Sequence, residues 1–455
     1  MKLVRVLTAL LLTAAWFDAP HAYAQAGPGS PPVPYTETEL RSPSPSPGDL
    51  FGTGVSLSDD GTRALVRSIS GVSVFVRSGL AWTLEATLPG TTGEVTDPIA
   101  LSGDGMVALV ADTRAVCLGF GLCGLVQVYV RNGSVWTFAQ NILPPSLFDF
   151  DFNFGNALAL SADGSTVLVG RKFTGCGLCP GAAYVYTRNG SGVWMFDEGI
   201  TAPEPGGEQF GLSVALTPDG QTALISSIFK SCPGGGQCGV AYVLRQSGGT
   251  WVSQGRLTPS QNVGPLAVAL SATGGTALLG GVETAEIRGA VFVFELVGGV
   301  WTERIGFPGA MSGDRLGSSV DLSANGRIGI VSAPGRDCSA GLDCGIFHWV
   351  WRDAGGVWHL TDANPLAYPW TGPLANIPVA LAADARTALV GIPQAPCVGG
   401  GDNCGLVLVL TAAALAAEIP TLGDFGRILL VLLLAGGGTW ILARRRLFTS
   451  RSMAE

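Results

Sequence analysis

The sequence is short of charged residues and almost without histidine. Of its 455 residues, 26 are Lys or Arg, 34 are Asp or Glu and 3 are His, which gives a formal net charge of −8. The arginines are scattered singly apart from one C-terminal cluster. No basic patch is therefore available to neutralise phosphates, and we expect no nucleic-acid partner. His348 and His359 each adjoin a tryptophan, so we interpret both as packing or surface residues.

Sequence motifs of common catalytic and metal sites are also missing. No nucleophile elbow, Walker loop or dinucleotide fingerprint stands in a strand–turn–helix context. The Asp-Gly turns lack the Asp-x-Asp-x-Asp-Gly loop that supplies oxygen ligands to calcium. Asp149 and Asp151 lie beside Phe148, Phe150 and Phe152, on whose rings a sugar could stack, but we interpret this cluster as an exposed loop. We therefore expect no cofactor, no metal, no catalytic residue and no enzymatic activity.

Glycine is abundant, with 66 residues, and one four-strand unit recurs along the chain. Its first strand ends in Leu-Ser or a near variant, a turn such as Asp60-Gly61 follows, and its fourth strand opens with Trp. Asp-Gly and Asn-Gly favour tight hairpins because these turns need positive φ. Seven copies, 44 to 59 residues apart, place their leucines at Leu57, Leu101, Leu160, Leu216, Leu270, Leu322 and Leu381.

Seven four-stranded units with a period of about fifty residues predict an all-β chain, folded as a seven-bladed β-propeller over residues 51–411. Stacking the blades around one axis buries the apolar face that each blade would otherwise expose. The last copy lacks a Trp-led fourth strand, and residues 35–40 resemble the missing strand. We predict that this strand, within a proline-rich segment of residues 25–50, completes blade seven and closes the ring.

Several copies carry a Phe-Gly pair before the first strand. The pairs are Phe51-Gly52, Phe154-Gly155 and Phe210-Gly211, with Leu316-Gly317 as a variant. In this feature the repeats resemble FG-GAP repeats, the blade type of integrin α-subunit propellers. The resemblance covers residues 51–411 and implies a β-propeller, although the calcium loop of that family is missing here.

The N-terminal residues have the pattern of a secretory signal. Lys2 and Arg5 precede an apolar stretch over residues 6–17, and Ala22-Tyr23-Ala24 forms an A-x-A cleavage site. We predict that signal peptidase removes residues 1–24. The alternative is a retained anchor, which together with the C-terminal apolar segment would form a membrane hairpin.

The cysteines come in close pairs. The ten cysteines form the pairs Cys117/Cys123, Cys176/Cys179, Cys232/Cys238, Cys338/Cys344 and Cys397/Cys404. Such spacing is also seen in zinc sites, but the chain offers few histidines to complete them. Because the predicted signal places the chain in an oxidising compartment, we expect five local disulfides.

A short motif, an apolar run and an arginine cluster follow one another at the C-terminus. Ile419-Pro420-Thr421-Leu422 comes after a linker of residues 412–418, and residues 428–443 are apolar up to Arg444-Arg445-Arg446. At about 1.5 Å per residue, a helix over residues 425–443 is long enough to cross a thin bilayer once. The arginines favour the cytoplasmic side, so we expect residues 447–455 to form a cytoplasmic tail.

This arrangement resembles the IPTL-CTERM class of bacterial sorting tails, which are relatives of the PEP-CTERM signals handled by exosortases. The resemblance covers residues 419–446, although Gly423-Asp424-Phe425-Gly426 departs from the usual Ser-Glu-Trp-Gly. It implies an inner-membrane intermediate held by the helix. An exosortase-type enzyme would then cleave near the tetrapeptide, and the propeller would be released or attached at the cell surface.

Together these patterns favour an exported cell-surface propeller with a binding or adhesion role, whose unknown ligand is a glycan or a protein. Two alternatives stay open. An enzyme acting on polysaccharide would need carboxylates or a metal at the central channel, and Asp321 is the only acid within a first-strand motif. A structural envelope or matrix protein would need no discrete ligand.

Overall fold

The structure is a computed structural model. It describes residues 35–89, 97–116, 122–145, 153–172, 181–204, 207–229, 238–282, 287–337, 345–361, 364–365 and 376–412. All regular elements in these ranges are strands, and they form seven separate sheets built on four strands each. The predicted all-β, seven-bladed propeller is therefore confirmed.

The strands of each blade run outward from the channel in chain order, except in blade seven. Blade one comprises β2 (Gly54–Leu57), β3 (Arg63–Ser68), β4 (Gly71–Ser78) and β5 (Ala81–Pro89). Blade two comprises β6 (Ile99–Leu101), β7 (Val107–Asp112), β8 (Leu125–Asn132) and β9 (Val135–Ile142). Blade three comprises β10 (Phe154–Leu160), β11 (Thr166–Arg171), β12 (Ala182–Arg188) and β13 (Trp194–Thr201). Blade four comprises β15 (Val214–Leu216), β16 (Thr222–Phe229), β17 (Cys238–Ser247) and β18 (Thr250–Leu257), with the short β14 (Gly207–Glu208) also pairing with β16.

The remaining blades follow the same plan. Blade five comprises β19 (Gly264–Leu270), β20 (Thr276–Val282), β21 (Ala290–Val297) and β22 (Val300–Pro308). Blade six comprises β23 (Val320–Leu322), β24 (Ile328–Ala333), β25 (Ile346–Arg352) and β26 (Trp358–Leu360), and the short β27 (Asn364–Pro365) also pairs with β25. Blade seven comprises β28 (Val379–Leu381), β29 (Thr387–Ile392), β30 (Leu406–Ala412) and β1 (Tyr35–Leu40).

The N-terminal strand closes the ring as predicted. In blade seven the order is β28, β29, β30 and β1, so Tyr35–Leu40 supplies the fourth strand. Tyr35 occupies the place of the tryptophans in the other fourth strands, and its ring stacks on Trp349 of blade six with centroids 4.4 Å apart. Its hydroxyl donates a hydrogen bond to the Ala385 carbonyl at 2.9 Å. One residue thus joins the closing strand to two blades.

The Asp-Gly turns are built by hydrogen bonds among their own side chains. In blade one, Ser58 Oγ donates to Asp60 Oδ1 at 2.6 Å, and the Thr62 N–H donates to the same oxygen at 2.9 Å. Gly61 takes a positive φ of 65°. The same hydroxyl–acceptor pair recurs in blades two, three, four and six, as Ser102–Asp104, Ser161–Asp163, Thr217–Asp219 and Ser323–Asn325. The Asp and Asn side chains at this position therefore form the turns.

A ring of main-chain hydrogen bonds joins these turns around the channel. The bonds are Asp59 N–H to Gly103 O, Asp104 N–H to Ala162 O, Ala162 N–H to Pro218 O, Ala272 N–H to Ala324 O, Ala324 N–H to Ala383 O and Ala383 N–H to Asp59 O, at 2.8 to 3.0 Å. Pro218 has no N–H to donate, so the step from blade four to blade five has no such bond. The ring fixes the position of each turn relative to its neighbour.

The fourth strands carry the tryptophans, as predicted, and make contacts between blades. The pairing of the third and fourth strands is interrupted by one extra residue at Glu85, Ala139, Asp197, Gln254 and Arg304. Such bulges re-aim side chains. Glu85 faces blade two, where it accepts hydrogen bonds from Trp136 Nε1 at 2.9 Å and from Arg131 Nη2 at 2.6 Å.

One predicted disulfide lies wholly within the described residues. Cys397 and Cys404 are bonded, with a Cα–Cα distance of 4.9 Å. Cys123 and Cys238 are also disulfide-bonded. The other predicted members lie outside the described residues, and they are Cys117, Cys176, Cys179, Cys232, Cys338 and Cys344.

Both predicted targeting segments also lie outside the described residues. These are the signal peptide of residues 1–24 and the tail, with its Ile419–Leu422 motif and the Arg444–Arg446 cluster. Among the residues that the structure describes, no helix is long and apolar enough to cross a membrane.

Candidate functional site

The channel contains a cavity on the side where the Asp-Gly turns lie. Its volume is about 170 Å³. The leucine that ends the first strand lines it in every blade, and the residue two positions later forms a second ring. In six blades the second ring has no charge, because the residues are Gly103, Ala162, Pro218, Ala272, Ala324 and Ala383. The side chains of the two rings are therefore uncharged in nearly every blade.

Two carboxylates also line the cavity. Asp59 belongs to the second ring, in blade one, and Asp321 comes directly before the leucine of blade six. The position of Asp321 is otherwise filled by small residues, which are Ser56, Ala100, Ala159, Ala215, Ala269 and Ala380. Blades one and six flank blade seven. Asp59 and Asp321, which depart from the repeat at two different repeat positions, thus line the same cavity.

Asp321 links blade six to blade seven through its carboxylate. Oδ2 accepts a hydrogen bond from the Leu381 N–H of blade seven at 2.7 Å, and Oδ1 accepts one from the Leu322 N–H at 2.8 Å. Ser56 makes the corresponding link from blade one, since its Oγ accepts from the Leu101 N–H at 3.0 Å. A hydroxyl is therefore sufficient for the structural bond, and the charge of Asp321 is additional.

Burial makes the ionised form of Asp321 costly. Burial raises the pKa of the Asp321 carboxyl to about 6. The hydrogen bonds from the Leu381 and Leu322 N–H groups lower this pKa, but by less than burial raises it. The charge of Asp59 adds a smaller increase. The pKa of Asp59 is also raised, first by burial and then by the neighbouring charges of Asp60 and Asp104. Displaced pKa values of this kind are concentrated at functional sites. The channel mouth, defined by Asp59, Asp321 and the leucine ring, is therefore the candidate site.

The other candidates from the sequence lie elsewhere. His359 stacks on Trp351 with centroids 4.5 Å apart, and its Nε2 lies 2.9 Å from Asp353 Oδ2. His348 lies in β25, away from the channel. Asp149 and Asp151 lie outside the described residues. Within the described part of the chain, no group of three or more His, Cys, Asp or Glu is placed to hold a metal ion.

Sequence reasoning singled out Asp321 but missed Asp59. The repeat itself contained the signal, because Asp59 stands where the other copies have Gly, Ala or Pro. Only the circular arrangement of the blades shows that the two positions reach one cavity. Their convergence is therefore a result of the tertiary structure.

Comparison with known proteins finds similar structures at low sequence identity. No protein-family model matches the chain, and no curated protein matches it. A chain of the mitotic checkpoint complex is 12% identical, with a TM-score of 0.52, over 90% of this chain and 99% of its own length. The periplasmic gluconolactonase of Pseudomonas aeruginosa is 17% identical, with a TM-score of 0.47, over 79% of this chain and 98% of its own length. A Bacteroides uniformis protein, provisionally named a 6-phosphogluconolactonase, is 13% identical, with a TM-score of 0.47, over 69% of this chain and 85% of its own length.

These comparisons correct one expectation and leave two as predictions. The expectation of no enzymatic activity is dropped, because proteins named as lactonases are among the similar propellers. At 13% and 17% identity, the likeness assigns no activity to this chain. The resemblances to FG-GAP repeats and to IPTL-CTERM tails have no matching family model and stay predictions.

The charge of Asp321 is expected to reduce stability as the pH rises. The folded-state pKa of about 6 exceeds the ordinary value of 3.8, so the folded protein holds this proton more tightly than the unfolded chain does. The free energy of unfolding should therefore decrease by about 2 kcal/mol from this residue as the pH rises from about 4 to about 6.5. Asp321→Ser should remove this decrease, as measured by urea unfolding at both pH values.

Ser56→Ala is the matched control for the Asp321 prediction. It deletes the equivalent inter-blade bond from blade one without changing any titratable group. It should lower the free energy of unfolding by about 1 kcal/mol at both pH values. If Asp321→Ser has the same pH dependence as the wild type, the assigned cost of the charge is wrong.

Proposed function

We propose that this chain is an exported β-propeller that binds its ligand at the channel mouth. The observation that carries the proposal is Asp321, a carboxylate that is costly to bury where the blade needs no charge. A serine supplies the same inter-blade bond in blade one. A charged side chain kept at a cost to stability is typical of a binding or catalytic group.

The chemistry of the channel mouth favours a cationic group on the ligand. Asp59 and Asp321 together supply negative charge, and the surrounding walls are leucine, alanine, glycine and proline. A bare metal ion would need more oxygen ligands than these two side chains offer. An ammonium group would pair with the carboxylates. Such a group occurs on amino sugars, lysine side chains and polyamines.

Titration calorimetry with the full chain tests binding at the channel mouth. Primary alkylammonium ions and putrescine are the probes, and Asp321→Ser and Asp59→Asn should each weaken binding by roughly tenfold or more. Asp384→Asn, which removes an exposed acid from the blade-seven turn, should leave binding unchanged. Binding should also strengthen as the pH rises through about 6, because Asp321 becomes ionised. Equal binding by all four proteins would contradict the proposal.

Export and sorting belong to the proposal as well. The Cys397–Cys404 disulfide supports an oxidising compartment, in agreement with the predicted signal peptide. We propose that the C-terminal helix holds an intermediate in the inner membrane, that an exosortase-type enzyme cleaves near Ile419–Leu422, and that the propeller then acts in adhesion at the cell surface. Masses of the mature protein from strains with and without the sorting enzyme test this step. Retention of Arg444–Arg446 in the wild-type strain would contradict it.

Catalysis at the channel mouth is the second candidate, and Asp321 is the observation that favours it. A carboxylate with a pKa of about 6 is suited to general-base chemistry near neutral pH. The reaction that it would assist is hydrolysis of a small ester or lactone by an activated water. Turnover of a lactone panel between pH 5 and 8 tests it. Activity that survives in Asp321→Asn would exclude Asp321 as the base.

A further inference from the structure

A second cavity lies between blade six and the end of β22 of blade five, opposite the Asp-Gly turns. Its volume is about 170 Å³. Pro308, Leu316, Ala333 and Leu360 form an apolar part of its wall. The blade-six cavity, as we call it, also has a polar part, contributed by Asp314, Arg336, His348 and Thr361. It shares no lining residue with the channel mouth.

Blades three and four fill the equivalent place with two aromatic rings, and blade six does not. In blade three the Phe154 and Tyr184 rings pack with centroids 5.8 Å apart, and in blade four the Phe210 and Tyr242 rings pack at 6.0 Å. Strand pairing places His348 at the position of these tyrosines, since it pairs with Val331 as Tyr184 pairs with Val169 and Tyr242 with Ile225. Leu316 replaces the phenylalanine. Blade six thus has less ring volume here than blades three and four, and both Leu316 and His348 line the cavity.

Asp314 and Arg336, in the polar wall of the cavity, form an ion pair with each other. Asp314 is 3% exposed, and its Oδ2 accepts from Arg336 Nη1 at 2.8 Å and from the Met311 N–H at 2.7 Å. His348 Nδ1 lies 2.8 Å from the Thr361 carbonyl oxygen. Because a carbonyl only accepts, Nδ1 carries the proton. The wall thus combines the Asp314–Arg336 ion pair with the hydrogen-bonding groups of His348 and Thr361.

This ion pair selects the class of ligand. A charged ligand would leave a charge uncompensated beside the Asp314–Arg336 pair, and such burial is costly. An apolar ligand would displace water from polar groups without replacing their hydrogen bonds. A neutral molecule with several hydroxyls can donate to Asp314 and accept from Arg336, while its C–H surface packs on Leu316 and Leu360. The volume is below the roughly 300 Å³ at which drug-sized pockets begin, so the ligand is small.

We propose that the blade-six cavity binds a neutral polyhydroxylated molecule of monosaccharide size. The proposal is independent of the channel mouth. A sugar unit bound here would serve a propeller that encounters glycans, whether or not the channel binds a cation. Asp321→Ser, which changes only the channel mouth, should therefore leave sugar binding unchanged. The two proposals can thus fail separately.

Saturation-transfer NMR on the full chain with a panel of neutral hexoses and pentoses tests the proposal. At least one sugar should bind at millimolar concentration or below. The double variant Leu316→Phe/His348→Tyr restores the residue types of blades three and four and fills the space. It should weaken sugar binding by roughly tenfold or more and raise the melting temperature. Tyr184→Phe changes the equivalent position of blade three and should bind the sugar as the wild type does.

A second variant keeps the test decisive if the double variant misfolds. Leu316→Phe alone adds one ring at the cavity wall, and circular dichroism would confirm its fold before binding is measured. It too should weaken sugar binding. The proposal is overturned if no neutral sugar binds the wild type, or if a folded cavity-filling variant binds as strongly as the wild type. Binding of charged sugars alone would overturn it as well.

Discussion

Replacing Gly211 with alanine is expected to lower the free energy of unfolding by about 3 kcal/mol or more. Gly211 follows the buried Phe210 at the entry to blade four and has a φ of +86°, in the left-handed region where a side chain is strained. A Cβ there would overlap the carbonyl oxygen of Ala182 and would lie 3.1 Å from the Arg171 nitrogen. Both contacts are with the main chain of blade three, which cannot rotate away. Urea unfolding measures the loss.

Gly190→Ala is the matched control for Gly211→Ala. Gly190 lies at the turn between β12 and β13, its φ is outside the left-handed region, and a Cβ there would meet no atom within 4 Å. The free energy of unfolding should change by less than about 1 kcal/mol. If the two substitutions have equal effects, the Phe-Gly pair does not set the close approach of the two blades.

Tyr35→Ala is expected to lower the free energy of unfolding by about 3 to 4 kcal/mol. The substitution removes a ring that is 7% exposed, its stacking on Trp349 and its hydrogen bond to the Ala385 carbonyl. Each of these contacts joins the closing strand to another part of the ring. The loss should therefore weaken closure of the propeller as a whole, seen as a lower melting temperature.

Two substitutions separate the contributions of Tyr35. Tyr35→Phe keeps the stacked ring and loses only the hydroxyl, so the cost should be about 1 kcal/mol. Thr38→Ala changes an exposed residue of the same strand and should cost less than about 0.5 kcal/mol. If Tyr35→Ala behaves like Thr38→Ala, the first strand does not hold the ring together.

The repeat pattern was sufficient to predict the fold and its closure. The leucines, the Asp-Gly turns and the leading tryptophans recur often enough to define seven blades, and the similarity of residues 35–40 to a Trp-led strand identified the closing strand with its observed bounds. The turn chemistry was predictable too, because Ser-x-Asp-Gly contains both its hydroxyl and its acceptor. The Cys397–Cys404 bond followed from spacing and the predicted compartment.

The candidate sites depend on contacts that the repeat pattern does not contain. Asp59 and Asp321 are 262 positions apart in the chain numbering, and only ring closure brings them to one cavity. The blade-six cavity depends on which residue of the third strand faces the Phe-Gly position, and that follows from strand register. A sequence shows that Leu316 and His348 differ from the residues of blades three and four, but not that the two positions adjoin.

Hydrogen exchange of the full chain, followed by mass spectrometry, tests the central claim that Tyr35–Leu40 closes a seven-bladed ring. The amides of this strand should stay protected as long as those of its partner, Leu406–Ala412, because the two strands separate only when the ring opens. Exchange of Tyr35–Leu40 within seconds, while Leu406–Ala412 and the other blades stay protected, would contradict it.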